Sequence, residues 1–435
     1  MKFAQRSDLL DRSLSWVGLA PRHWTVRRLG HYFEERRQKV SDKDFAPLSV
    51  TMRGVVPQLE TVAKTDDGDN RKLVRSGDFV INSRSDRKGA GGVAPRDGSV
   101  SLINTVLVPR CGMRVQFANY LLTSYPFQEE FYRVGNGIVA DMWTTKYSEM
   151  KSIRLAVPEE AEQDAIVAHL DRETARIDVL VAKKTRFIKL LREKRQALIA
   201  RAVTKGVDPN APMKASGVEW LGEIPKHWKV AQIRRITISR CDGPFGSGLK
   251  SSNYTEAGAR VVRLQNIGAG HFRADNAAYI DINYWQDSLG GGHEVLPGDL
   301  LMAGLGDENN PLGRACVAPA GITPALVKAD CYRFRLVQGV EPEYFALALS
   351  ATARHECGFL ANGATRDRLN LGLASSRVVP IPPPTEQKSI VGLIARATSG
   401  IDALLAMTDR SIKLLREHRT ALITAAVTGK IDLRA

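Results

Sequence analysis

The sequence predicts an α+β protein in which two mixed α/β modules are joined by two long antiparallel helices forming a coiled coil, with a pseudo-twofold relation between the halves. Three observations carry this. Residues 162–208 recur as 386–432, with 25 of 47 positions identical at an offset of 224. A second repeat opens each half, where Trp16, Gly18, Pro21, His23, Trp24 and Val26 return as Trp220, Gly222, Pro225, His227, Trp228 and Val230 at an offset of 204. Between the copies lie short alternating strand patterns, one helix and a glycine-containing loop. Such self-similarity marks a tandem duplication.

The elements follow in order. The first module, 1–157, contains a turn and strand at Val74–Asn82 and an interrupted helix over 117–133. Residues 158–208 form the central repeated helix, where about 43 residues without Pro or Gly give a rod of roughly 60 Å. In a seven-residue frame its apolar seam is Leu170, Ile177, Leu191 and Leu198 with Val181, Ile188 and Ala202, and Leu180 and Phe187 broaden it. The second copy repeats the seam as Ile394, Ile401, Leu415 and Leu422 with Leu405, Ile412 and Ala426. Polar intrusions recur at Lys184/Thr408 and Arg195/Arg419, which suits fixing register. The seams satisfy one another or pack on their own modules. Gly206 through Pro212 breaks the helix, 209–217 is a linker, 218–384 is the second module with a helix over 342–357, and 385–435 is the C-terminal repeated helix. Gly77-Asp78 and Gly298-Asp299 occupy matching turns, and a turn-capping aspartate is the better reading of each than a catalytic one.

Composition bounds the function. A formal charge of +15 favours polyanionic partners. Residues 1–157 carry 25 Lys/Arg against 17 Asp/Glu and 209–384 carry 18 against 16, so the first module has the stronger sequence-independent pull. Cys111, Cys241, Cys316, Cys331 and Cys357 have no metal-ligand or disulfide spacing, which fits a reducing compartment. No signal-length apolar run opens the chain and no stretch approaches a bilayer span, so a cytoplasmic protein without membrane contact is expected.

Motifs in order along the chain are RSGDFVINS, WLGEIPKHWKV, CDGPFGSGLKSS, PPPTEQ and LLREHRTALITAAVTGKIDL. Their order and duplication resemble the specificity subunit of type I restriction–modification systems over almost the whole chain. The opening copy, SWVGLAPRHW, is a degraded version of its counterpart. The resemblance implies two target-recognition domains, each reading half of a bipartite site in double-stranded DNA. It implies helices that dock two modification (methyltransferase) subunits, and restriction (translocase and nuclease) subunits that join them. Adenine N6 methylation with S-adenosylmethionine, and cleavage with ATP and Mg, then belong to those partners, with no catalytic residue, metal or cofactor in this chain.

Base readout needs polar side chains on loops, while most contacts go to phosphate. The candidates in the first module are Arg53, Arg84, Arg87 and Lys88. Those in the second are Lys250, Ser251, Arg263, Asn266, Arg366, Arg368 and Asn370. Solvated surface loops are the bland alternative. Arg260, Arg333 and Arg335 read as the wet face of strands, and Trp143, Tyr284 and Trp285 as core. Aligning Asn136-Gly137 with Asn362-Gly363 sets Ala140 against Arg366 and Met142 against Arg368, so the site read should be asymmetric.

Catalytic motifs are absent or broken. Gly243–Ser251 misses the phosphate loop by an inserted Leu249. Asn309-Asn310-Pro311-Leu312 lacks the second proline and the aromatic that hold a flipped base. Asp141 with Glu149-Met150-Lys151 only mimics a metal nuclease. A self-contained nuclease or methyltransferase, or an assembly scaffold with weak DNA affinity, are the alternatives.

Overall fold

The computed structural model describes residues 9–14, 16–58, 68–138, 143–245, 248–307, 309–360 and 368–432. The chain divides into two compact units, one of Met1–Thr185 with Asp409–Ala435 and one of Arg186–Thr408. The division falls within the two long helices, Glu160–Lys205 and Pro384–Val427.

In the first unit an antiparallel sheet runs in the order Gly91–Val93, Phe79–Asn82, Asn104–Pro109, Phe33–Glu35. In the second unit the order Ala315–Val317, Leu300–Ala303, Cys331–Leu336, Thr237–Cys241 repeats it. The glycine turns cap these sheets as their residue types demand. Asp78 accepts from the Arg75 N–H at 2.8 Å and from the Arg36 guanidinium, and Asp299 accepts from the Leu296 N–H at 2.8 Å and from Arg335. Arg335 is therefore a buttress, and Arg333 is buried on Ser239 Oγ and the Glu294 carbonyl; neither is a free wet-face residue. The interrupted helix of the first module breaks at Ser124, ahead of Pro126, into Val115–Thr123 and Tyr125–Arg133. Its counterpart runs unbroken over Pro342–Leu360. Residues 209–217 are more than a linker, because Met213–Ala215 pairs with Glu223–Pro225.

The long helices supply part of each unit's core. In the first unit Ile166, Leu170 and Ile177 share a cluster with Leu422, Ala426 and Val427, and with Trp24, Phe117, Phe127 and Phe131. Leu415 packs half-buried against it. In the second, Ile199, Ala202 and Val203 join Ile390 and Ile394 beneath Trp228, Tyr344 and Phe345. As residue numbers rise on one helix they fall on the other, so the two run antiparallel within each unit. Of the polar intrusions the two arginines are ion-paired: Arg419 Nε lies 3.2 Å from Asp178 in the first unit, and Arg195 Nε donates to Asp402 at 2.8 Å in the second; Thr408 instead turns its hydroxyl back on the Leu404 carbonyl at 2.7 Å.

Ile188, Leu191, Ile401 and Ile412 are buried as the heptad frame requires. Leu198 departs from it. It is half-buried on the wall of a cavity of about 460 Å³ that Met213 and Leu393 also line, and Ile199 takes the core position. Leu180 and Phe187 do not broaden the seam either, because both point outward.

Pro384–Val427 also contains an 18-residue stretch of mean hydropathy 1.5, long and apolar enough to cross a membrane by length and composition. Reading for unbroken apolar runs missed it because its polar positions are mostly Ser, Thr and Gly rather than charges. Burial pushes the Cys316 thiol up to about 12 and Cys331 further.

At the start of Pro342–Leu360, a hydrogen bond shared with Glu343 and partial burial push the Glu341 carboxyl up to about 7. The folded chain thus holds a proton there that the unfolded chain releases, and the stabilisation is lost as pH rises through the folded value. Thermal unfolding of the full chain should show a midpoint that declines over about pH 5 to 8. Glu341→Gln should flatten that slope and raise the midpoint at the alkaline end. An unchanged slope in the variant would assign the decline to other groups.

Candidate nucleic-acid interface

Each module presents its candidate residues on loops and turns between strands. In the first, strand Phe79–Asn82 runs into a short turn at Ser85–Arg87. Buried Asn82 accepts the Arg84 N–H at 2.9 Å and the Ser85 N–H donates to the Trp143 carbonyl at 3.1 Å, which fixes the loop at both ends. Arg84, Arg87 and Lys88 are exposed on it. Lys88 is less free than its sequence setting suggests, since its Nζ reaches Glu129 at 2.5 Å and stands 5.0 Å over the Tyr132 ring. Arg53 is exposed at the tip of the hairpin Leu48–Thr51/Gly54–Pro57, where Gly54 takes a φ of 105°. The hairpin and the basic loop border a cavity of about 680 Å³ lined by Met52, Asn82, Arg87, Lys88 and Asn104.

In the second module the candidates differ in how far their polar groups are already engaged within the fold. Asn266 is buried, accepts the Arg263 N–H at 3.0 Å and donates to the carbonyls of Arg273 and Asp275, so its amide is engaged in organising its own turn. Arg263 is half-buried, donating to the Asn276 carbonyl at 2.7 Å with its guanidinium 5.9 Å from the Tyr254 ring. Asn370 caps the helix Leu371–Ser376 by accepting the Leu373 N–H at 2.8 Å, which occupies its oxygen. Lys250 and Ser251 are exposed where a short turn begins. Arg368 is exposed, donates through Nε to Asp330 at 2.9 Å, and lies 5.6 Å from the Phe245 ring centroid. Arg366 lies outside the described residues, as do Ala140, Asp141 and Met142.

The loop equivalence also changes. Isolated bridges join Arg84 to Thr144 and Leu305 to Arg368. The following N–H groups donate in parallel, Thr145 to the Ser83 carbonyl and Leu369 to the Gly304 carbonyl, both at 2.9 Å. Thr144, not Met142, therefore stands opposite Arg368. The two loops differ by two residues before they rejoin the sheet, which the Asn-Gly alignment hid.

Three further groups on this face escaped sequence reasoning: Asp330, Lys328 and Tyr254. Asp330 meets Arg368 across 38 positions and Lys328 meets Tyr254 across 74, so no local motif announces them. Lys328 Nζ donates to the Tyr254 hydroxyl at 3.1 Å. Among the described residues, no group of three His, Cys, Asp or Glu side chains is placed to hold a metal ion. Gly243, which opened the broken phosphate loop, is required by packing, because a Cβ there would sit 2.2 Å from the Val327 carbonyl oxygen.

No family model matches the chain. Among curated proteins it is similar to the type I restriction enzyme MjaVIII specificity subunit of Methanocaldococcus jannaschii, 22% identical over 95% of this chain and 94% of that protein. It is similar to the EcoKI specificity subunit of Escherichia coli K12, 20% identical over 64% of this chain and 58% of that one. A chain from a structural study of complex assembly and conformational transition in the type I R-M system covers 95% of this chain with a TM-score of 0.70 at 15% identity. Over nearly its full length, then, the chain is similar to type I restriction specificity subunits. The HsdS subunit from Thermoanaerobacter tengcongensis shares the fold, with a TM-score of 0.51, 17% identity, and coverage of 95% of this chain and 98% of that one.

Asn266→Ala should cost about 1–3 kcal/mol by orphaning its backbone partners. It should lower affinity alike for every duplex, or not at all. Chemical denaturation with competition binding would check both, and altered preference at one base pair would return Asn266 to the readout set.

Proposed function

We propose that this chain is the sequence-specific DNA-binding subunit of a type I restriction–modification complex, and that it is not itself the catalyst. The observation that carries this is the near full-length similarity to a named specificity subunit, joined to a duplicated architecture that offers an exposed basic loop from each module. Arg53, Arg84 and Arg87 supply phosphate contacts and part of the readout in the first module, while in the second Lys250 supplies phosphate contacts and Arg368 part of the readout. The sites differ because Thr144 stands where Arg368 does, so the bipartite target is asymmetric. S-adenosylmethionine, ATP and Mg act in the partner subunits, and the complex works in the cytoplasm.

The partner surface follows from side chains that the helix pair leaves outside. Leu180 and Leu414 are exposed in the first unit, and their repeat equivalents Leu404 and Leu190 are exposed in the second. Apolar side chains repeated in the same positions fit two copies of one partner, which we take to be the modification subunits, with the restriction subunits joining the resulting assembly.

Two outcomes test this. Replacing Arg84 and Arg87 with Ala in the full chain should reduce the slope of log affinity against log salt by about 0.9 for each phosphate that is no longer neutralised. An unaltered slope would remove both from the DNA face. Leu190→Asp with Leu404→Asp should leave the fold intact and reduce the modification subunits bound from two to one by mass measurement. Retention of both would move the docking surface elsewhere.

A further inference from the structure

A free surface arginine samples many rotamers and holds none of them against a particular base. Arg368 is different. Its Nε and Nη2 both lie on the Asp330 carboxylate, at 2.9 and 2.8 Å, and its guanidinium rests against Phe245. The carboxylate takes the inner edge of the guanidinium and leaves the outer pair of Nη donors facing away.

The parts beneath it are built to stay in place. Asp330 holds a φ of 63°, in the left-handed region, and its N–H donates to Asp242 Oδ1 at 2.9 Å. The same oxygen accepts the Gly243 N–H at 2.7 Å, so one carboxylate ties the turn bearing Asp330 to the segment leading into Phe245. Gly243 lies flush on the backbone of Val327 and Lys328, where no side chain fits. Phe245 nevertheless keeps 52% of its surface exposed, a large ring presented on an anchored support.

The neighbouring charge decides what this arginine meets. A phosphate approaching Arg368 would be repelled by the carboxylate 2.8 Å from its Nη2. The major-groove edge of guanine presents two neutral acceptors, O6 and N7, spaced for a pair of guanidinium donors, and suffers no such repulsion.

We propose that Arg368 reads a guanine in the half-site of the second module, that Asp330 is its positioning residue, and that Phe245 stacks against the neighbouring base or thymine methyl. This rests on the DNA-recognition function above and assigns its chemistry to particular atoms. The first module has a different cation, carboxylate and ring in Lys88, Glu129 and Tyr132, and so does not repeat the preference.

The test is selection of duplexes from a randomised library by the full chain with its modification subunits, followed by sequencing. The wild type should yield a bipartite consensus with guanine at one position of one half. Arg368→Ala should lower the preference there by roughly 5- to 150-fold and leave the rest of the consensus standing. Asp330→Asn should lose the same preference at nearly unchanged overall affinity, which a merely structural role would not produce. Phe245→Ala should weaken the step beside that guanine, and Phe245→Tyr should restore it. A uniform loss across sequences in Arg368→Ala would reassign it to phosphate, and an unchanged consensus would remove it from the interface; either overturns the proposal. A wild-type complex that selects no consensus would instead overturn the DNA-recognition function itself.

Discussion

The structure depends on a buried glutamine near the start of each long helix. Gln163 accepts the Arg114 N–H at 2.9 Å and donates to the carbonyls of Gly112 and Pro158, both at 3.0 Å. Gln387 accepts the Glu341 N–H at 2.8 Å and donates to the Pro382 carbonyl at 2.8 Å. A primary amide is the side chain that can satisfy a donor and an acceptor together in a dry junction, and an orphaned buried group costs about 1–3 kcal/mol. The preceding glutamates turn outward to the opening repeats, Glu162 to His23 at 2.7 Å and Glu386 to His227 at 2.8 Å. Each module is thereby locked to the helix that follows it. The lock is not identical in the two halves. Trp228 Nε1 donates to Glu386 at 3.0 Å, whereas Trp24 Nε1 is buried without a partner among the described residues. This is the structural counterpart of the weakened opening repeat.

The helix pair uses a second device. Arg195–Asp402 and Arg419–Asp178 are one ion pair written twice, since each residue has its repeat equivalent in the other pair. Pairs this exposed contribute roughly 0.2–1 kcal/mol each. Their effect is on register: sliding either helix by a turn breaks the pair and buries an arginine against apolar neighbours. An uninterrupted apolar seam would tolerate that slip, so the polar intrusions are what make one alignment of the helices win.

Much of this was legible because it is periodic or local. The duplication announced both long helices and their seams, and a Gly-Asp turn ahead of a strand announced Asp78 and Asp299 as caps. What escaped depends on distant partners. Leu198 and Ile199 are both apolar neighbours, and only packing against distant residues such as Trp228 and Ile390 decides which is buried. Asn266 has the composition of a base-reading residue, but the amide that reads adenine also satisfies a turn, and the sequence contains no sign of which backbone groups surround it. Arg333 alternates with apolar residues as an exposed strand residue would, yet Ser239 and Glu294, far away in the chain, offer it a buried site. The two-residue error in matching the recognition loops arose where loop lengths differ and sheet hydrogen bonds alone define equivalence.

That division between what repeats and what does not has a physical logic. The fastening glutamines, their glutamates and the seam ion pairs must keep one geometry, because each is a buried or register-setting contact in which a changed residue leaves a partner unsatisfied. Loops that face solvent leave nothing unsatisfied when they change. Duplication followed by divergence therefore preserves the frame and frees the recognition surface, and the net charges of +8 and +2 in the two modules follow from that freedom. A more basic module contributes affinity that every sequence shares. A less basic one has less of that shared pull, and both modules hold a cation between a carboxylate and a ring, Lys88 in the first and Arg368 in the second.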